Sequence, residues 1–158
     1  MNIFHISEIV ELGIQKEIKR RDFYAQAAQA FDDAVLKKIF SQLRDWEETH
    51  IKKFTLIRDK IEEPSPAESF LGELNSYMEI FVDEKLYNDV SLDNFRKNIS
   101  SPLIAIKYGI EFEKDAIVFF TGLIPYLESS SRDVVHQLID EERQHIVYLA
   151  KLRKQVSI

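Results

Sequence analysis

The sequence predicts an all-α protein, an antiparallel four-helix bundle with one long crossover. Three observations predict it. Four stretches carry apolar residues at steps of three and four, the period of a helix with one face in a core. Glycine and proline are scarce, four of each in 158 residues, which favours long helices over a turn-rich β fold. A segment near residue 45 also recurs near residue 140. Gln42-Leu43-Arg44-Asp45-Trp46-Glu47-Glu48-Thr49-His50-Ile51 aligns with Gln137-Leu138-Ile139-Asp140-Glu141-Glu142-Arg143-Gln144-His145-Ile146. Gln, Leu, Asp, Glu, His and Ile match at one constant offset.

In chain order, Ser7 can cap a first helix reaching about Ala30. Its inward stripe reads Val10, Gly13/Ile14, Glu17, Tyr24, Ala27/Ala28 and Phe31, with Lys16, Lys19, Arg20, Arg21 and Asp22 on a solvated flank. Asp32-Asp33 supplies a turn and an N-cap for a second helix to about Ile61. Its stripe is Leu36, Ile39/Phe40, Leu43, Glu47, His50, Phe54, Ile57 and Ile61, and Glu48 is expected to point elsewhere. Glu62-Glu63-Pro64-Ser65-Pro66 ends that helix, because proline cannot continue it.

The segment from Ala67 to about Tyr87 has helical spacing but no ligand pair, and reads as one broken crossover helix. A further short helical turn is expected between Ser91 and Asn98. Ser101-Pro102 is a cap followed by proline at the first helical position. The third helix runs to about Gly122 with the stripe Leu103, Ile106, Ile110, Glu113, Ile117, Phe120 and Ile124. The fourth, after Pro125 and Ser129-Ser130-Ser131, runs to about Lys154 with Val135, Leu138, Glu142, His145, Leu149 and Leu152 inward. Gly13-Ile14-x-x-Glu17 repeats as Gly109-Ile110-x-x-Glu113. The chain is thus read as one domain over 1–158, with repeat halves at about 7–61 and 102–154 joined by a crossover at about 62–101.

Composition narrows the chemistry. There is no cysteine, which excludes disulfides and thiolate metal sites. A net charge of −6 without a basic stripe argues against a nucleic-acid partner. No apolar run reaches the ~20 residues of a membrane span. The N-terminus lacks the basic and apolar regions of a signal peptide, so a cytoplasmic location is expected.

Glu17, Glu47, His50, Glu113, Glu142 and His145 all fall on inward stripes. Glu47/His50 and Glu142/His145 are three apart, on one helix face. An unpartnered buried carboxylate costs several kcal/mol, and four facing one core also repel. Two divalent cations would neutralise them, each taking one imidazole. His5 and His136 fall off the stripes and are expected in solvent. Trp46 reads as packing or interface. Asp45, Asp140 and Glu141 read as helix-surface charge, with hydrogen bonding to the ligand imidazoles as the alternative.

The repeated Glu and Glu-x-x-His helices resemble the ferritin-like superfamily and, within it, the rubrerythrin-type di-iron carboxylate proteins. The resemblance covers nearly the whole chain outside 62–100. It implies two iron ions, with manganese as the other candidate, held by Glu17, Glu47, His50, Glu113, Glu142 and His145. It also implies a role for Tyr24, seven residues after Glu17, where that family often has a tyrosine near the metals; the matching position after Glu113 is Phe120. Two features depart from the pattern. The chain has no cysteine for a rubredoxin module, and Ala116 stands where full-length rubrerythrins carry an extra glutamate. The set is closer to that of bacterioferritins and the shorter rubrerythrin relatives. The implied function is a non-haem di-iron oxidoreductase reacting with peroxide or oxygen and fed by an external donor such as a rubredoxin, in a homodimer. Alternatives are a ferroxidase subunit of an iron-storage cage and a non-enzymatic helical module with a structural metal site.

Overall fold

The computed structural model describes residues 5–61, 76, 80, 85–91 and 93–157. Helices make up all its regular structure, and no strand occurs among the described residues. Four long helices are α1 (Ile6–Ala30), α2 (Ala34–Lys60), α5 (Pro102–Leu123) and α6 (Ser129–Val156). Among the described residues between them, Ser76 and Ile80 are helical and two short helices follow, α3 (Lys85–Asn88) and α4 (Phe95–Asn98); α5 passes into a 3-10 turn at Ile124–Tyr126. The turn expected between Ser91 and Asn98 is α4. Most of the expected crossover helix from Ala67 to Tyr87 lies outside the described residues.

The helix starts follow local chemistry. Asp33 Oδ1 accepts the Leu36 N–H at 2.9 Å, and Ser101 Oγ accepts that of Ile104 at 3.3 Å ahead of Pro102. The first cap is not Ser7. The cap is His5, two residues earlier, and its N–H donates to Glu8 at 2.8 Å.

Short connections leave α1 antiparallel to α2, with Arg58 reaching Glu11 and Arg21 reaching Glu48. Helix α5 lies antiparallel to α1, with Tyr24 against Gly109 and Lys16 against Asp115. Helix α6 lies antiparallel to α2, with His50 beside Glu141 and Trp46 beside Tyr148. The ends of α2 and the start of α5 therefore sit at opposite ends of the assembly.

The core has two apolar halves. One is built around Phe23, Tyr24, Phe40, Ile106, Phe112 and Leu149, the other around Ile9, Ile14, Phe54, Phe119, Phe120 and Leu138. Between them, at mid-height of all four long helices, is a layer of fully buried Glu and His. No helix among the described residues is long and apolar enough to cross a membrane.

Burial corrects the expected stripes in two places. Leu103 is 41% exposed, and Ala105 and Phe112 face inward instead. Lys16 and Arg20, expected on a solvated flank, are 2% and 0% exposed. The cause is Tyr87, in α3. Its hydroxyl accepts from Arg20 Nη1 at 2.7 Å, and its ring lies 4.7 Å from Lys16 Nζ. This cover widens the buried arc of α1 beyond a single stripe.

Candidate metal centre

Each long helix contributes to the mid-height layer: Glu17 from α1, Glu47 and His50 from α2, Glu113 from α5, and Glu142 and His145 from α6. All six are at most 4% exposed. They form two overlapping groups, Glu17/Glu47/His50/Glu142 and Glu47/Glu113/Glu142/His145. Within each group the potential ligand atoms lie within 4.8 Å of one another. Glu47 and Glu142 belong to both groups, so the sequence repeat becomes an approximate two-fold arrangement about two shared carboxylates. These buried Glu/His groups can hold a metal ion.

Both imidazoles turn Nδ1 inward. His50 Nδ1 lies 2.6 Å from Glu142 and 3.6 Å from Glu47; His145 Nδ1 lies 3.1 Å from Glu142, 3.4 Å from Glu47 and 3.5 Å from Glu113. Yet Glu17 Oε1 and Oε2, Glu47 Oε1 and Oε2, His50 Nδ1, Glu113 Oε2 and Glu142 Oε1 have no hydrogen-bond partner at acceptable angles. Several of these atoms are close enough to attract but are not aligned to bond. Such a concentration of orphaned buried polar atoms is unusual, and an ion at their centre would satisfy them.

In the metal-free layer, protons sort by position. Burial pushes the Glu17 carboxyl well up against the pull of Arg20, and burial with the charges of Glu142 and Glu47 pushes Glu113 well up. The shared carboxylates go the other way. Burial opposes ionisation of Glu47, but the Glu17, His145 and His50 groups close beside it hold it well below the ordinary value. Glu142 falls to about 2, held against burial and the Glu47 charge by the neighbouring Glu113 carboxyl and the charge of His50. Despite burial, the same contacts raise His145 to about 12 and His50 further. The shared Glu47 and Glu142 thus favour the ionised form, and Glu17 and Glu113 the protonated one.

Tyr24 is fully buried and donates to Glu113 Oε1 at 2.6 Å. Burial and the adjacent Glu113 charge push its own pKa well up, so its hydroxyl keeps its proton and remains a donor. Phe120, its counterpart in the repeat, packs on Phe54.

Three further side chains touch the layer. Glu141, expected as surface charge, accepts from His50 Nε2 at 2.7 Å and from Lys53 at 3.1 Å. It fixes the ring with Nδ1 inward, the arrangement by which an outer carboxylate orients a metal-ligating histidine. Trp46 stacks on His145 at 4.9 Å and 10°. Arg20 places Nη2 2.5 Å from Glu17 Oε1 and Nε 3.8 Å from Glu47 Oε2, so the layer contains a cation of its own. His5 and His136 are exposed, and Glu48 pairs with Arg21 at the surface. A cavity of about 440 Å³ between α2 and α6 reaches both imidazoles, with Trp46, Lys53, Glu141 and Tyr148 around it.

Glu141→Ala is expected to weaken metal binding about 10- to 100-fold without changing how many ions bind at saturation. Calorimetric titration of the two proteins checks this; unchanged affinity would leave Glu141 no role in orienting His50.

Comparison with known proteins returns no match: no protein-family model, no curated protein and no solved structure matches this chain.

Proposed function

We propose that the four long helices form a ferritin-like bundle of the rubrerythrin type, and that the protein is a non-haem di-iron oxidoreductase acting on peroxide or oxygen. The observation that carries this reading is the pair of overlapping ligand groups, in which five of the six Glu and His residues hold seven orphaned buried atoms. Six side chains exceed what one ion would take from this geometry. Glu47 and Glu142 would be shared between two ions, Glu17 and His50 would complete one set, and Glu113 and His145 the other. Held by these residues, two iron ions would supply the electron pair that reduction of peroxide or oxygen requires. The chain's own part is to exclude water with apolar layers above and below, and to hold a proton on Tyr24 at Glu113 Oε1. Oxygen and imidazole donors also suit manganese.

Arg20 favours a second reading, a metal-free ion network in which Arg20 and two imidazolium rings balance the carboxylates. Elemental analysis of protein purified without chelators separates the two. About two ions per chain is the expected result; none, even after loading with Fe(II) or Mn(II), leaves the ion network standing.

The redox part has its own test. The chain has no cysteine, and so no tetrathiolate iron from which to re-reduce a spent centre. Anaerobically loaded protein is expected to react once with hydrogen peroxide or oxygen in stopped-flow absorbance, and then to stop until an external donor such as a reduced rubredoxin is added. Tyr24→Phe is expected to change the rate modestly and to keep the metal. No oxidation within seconds at full occupancy would leave only a structural metal site.

A further inference from the structure

The repeat is broken at one position inside the layer. Gly13, Glu17 and Arg20 align with Gly109, Glu113 and Ala116, so a cation stands one helical turn from the first single glutamate and a methyl group from the second. Arg20 and Ala116 are both fully buried. Arg20 Nη2 lies against Glu17 Oε1, whereas Glu113 meets the Tyr24 hydroxyl and the His145 ring, which gives up its charge when it ligates a metal. Arg20 Nε and Nη2 also lack properly angled hydrogen-bond acceptors; its one aligned bond goes to Tyr87. The guanidinium is therefore a fixed positive charge whose nearest contact, Glu17, belongs to one ligand group alone, and whose second, at 3.8 Å, is the shared Glu47.

We propose that Arg20 makes the two metal positions unequal: the Glu47/Glu113/Glu142/His145 position fills first and holds its ion, while the Glu17/Glu47/His50/Glu142 position is the weak, exchangeable one. This rests on the metal reading above and adds the order of filling. An ion entering the weak position must draw Glu17 from Arg20 and then lie beside a guanidinium that does not deprotonate. Burial makes that repulsion strong, because little water screens it. Glu141 acts in the opposite sense by supporting His50. Its side chain, however, is 28% exposed at the cavity and shared with Lys53, so its field is weaker at the site.

The chain supplies its own reporter. Trp46 is the single tryptophan and stacks on His145, which belongs only to the strong position. Zn(II) does not absorb where indole emits, so a change in Trp46 emission on adding zinc reports the state of the His145 ring. Metal-free protein is titrated with Zn(II) while heat and fluorescence are recorded, and bound zinc is counted after dialysis. The expected result is two steps at least about tenfold apart in affinity, the scale of effects from groups beside metal ligands. Only the tighter step should move Trp46 emission. Glu17→Gln should abolish the weak step and keep the emission change; Glu113→Gln should weaken the step that carries it. Arg20→Met should bring the two steps together.

Two equal steps in the native protein, or an emission change that follows the weaker step, would overturn the proposal. If Arg20→Met does not fold, the Glu17→Gln and Glu113→Gln pair still decides it. No bound zinc in the native protein would overturn the metal reading itself. That outcome is told apart by the zinc count, which is at least one in every case where only the order of filling is wrong.

Discussion

Glu142→Gln or Glu47→Gln, purified without chelators, is expected to fall from about two metal ions per chain to well below one. Each residue belongs to both ligand groups, so its loss removes a donor from both positions at once. Gln keeps the shape but removes the charge, which leaves each ion with fewer carboxylates and a weaker oxygen donor. Glu17→Gln should cost one position rather than two, because Glu17 belongs to a single group. Glu48→Ala is the control: its carboxylate pairs with Arg21 at 2.8 Å on the surface. Elemental analysis of the four proteins, with circular dichroism to verify that each is folded, reads the outcome. Equal metal loss in Glu48→Ala and Glu142→Gln would mean that the buried layer does not hold the metal.

The helices and the residues that meet at mid-height were legible because both rest on periodicity. Glu47, His50, Glu142 and His145 stand where apolar residues belong on two helical stripes, and their burial follows from the stripe alone. Arg20 shows where that reasoning stopped. The i,i+3 rule that joins Glu47 to His50 also joins Glu17 to Arg20, yet arginine was assigned to solvent because it lies beside the apolar stripe. What decides its position is Tyr87, distant in sequence, whose hydroxyl offers the guanidinium a buried acceptor. Glu141 was obscured for a similar reason. It is one residue before Glu142 and so turns toward α2 rather than the centre, where His50 Nε2 meets it. Contacts between elements far apart in the chain leave no period in a single sequence. The only trace was the repeat itself, which sets Glu141 opposite Trp46 and Arg20 opposite Ala116.

The metal-free protein is expected to lose stability as pH rises from about 5 to 8, and bound metal is expected to reverse the trend. Glu17 and Glu113 have folded pKa values raised above the ordinary 4.5, chiefly by burial. Their contribution is fully present below 4.5 and is lost as pH rises through the raised values. His145, raised to about 12 from 6.5, and His50, raised further, contribute fully below 6.5 and lose that contribution steadily above it. Glu47 and Glu142 act in the other direction. Their depressed values add stability above 4.5 that disappears only as pH falls toward about 2 for Glu142. From pH 5 upward the folded chain therefore holds more protons than the unfolded one. Each such proton corresponds to about 1.4 kcal/mol per pH unit, so a single excess proton lowers the unfolding free energy by roughly 4 kcal/mol between pH 5 and 8. Metal ions need the same donors deprotonated, so binding releases these protons, tightens with pH and stabilises only the folded state. Urea unfolding of chelator-treated protein at pH 5, 6, 7 and 8, with and without Mn(II), measures both effects. A metal-free stability that is flat over this range, with no gain from Mn(II) at pH 8, would show that the layer is neither protonated nor a metal centre.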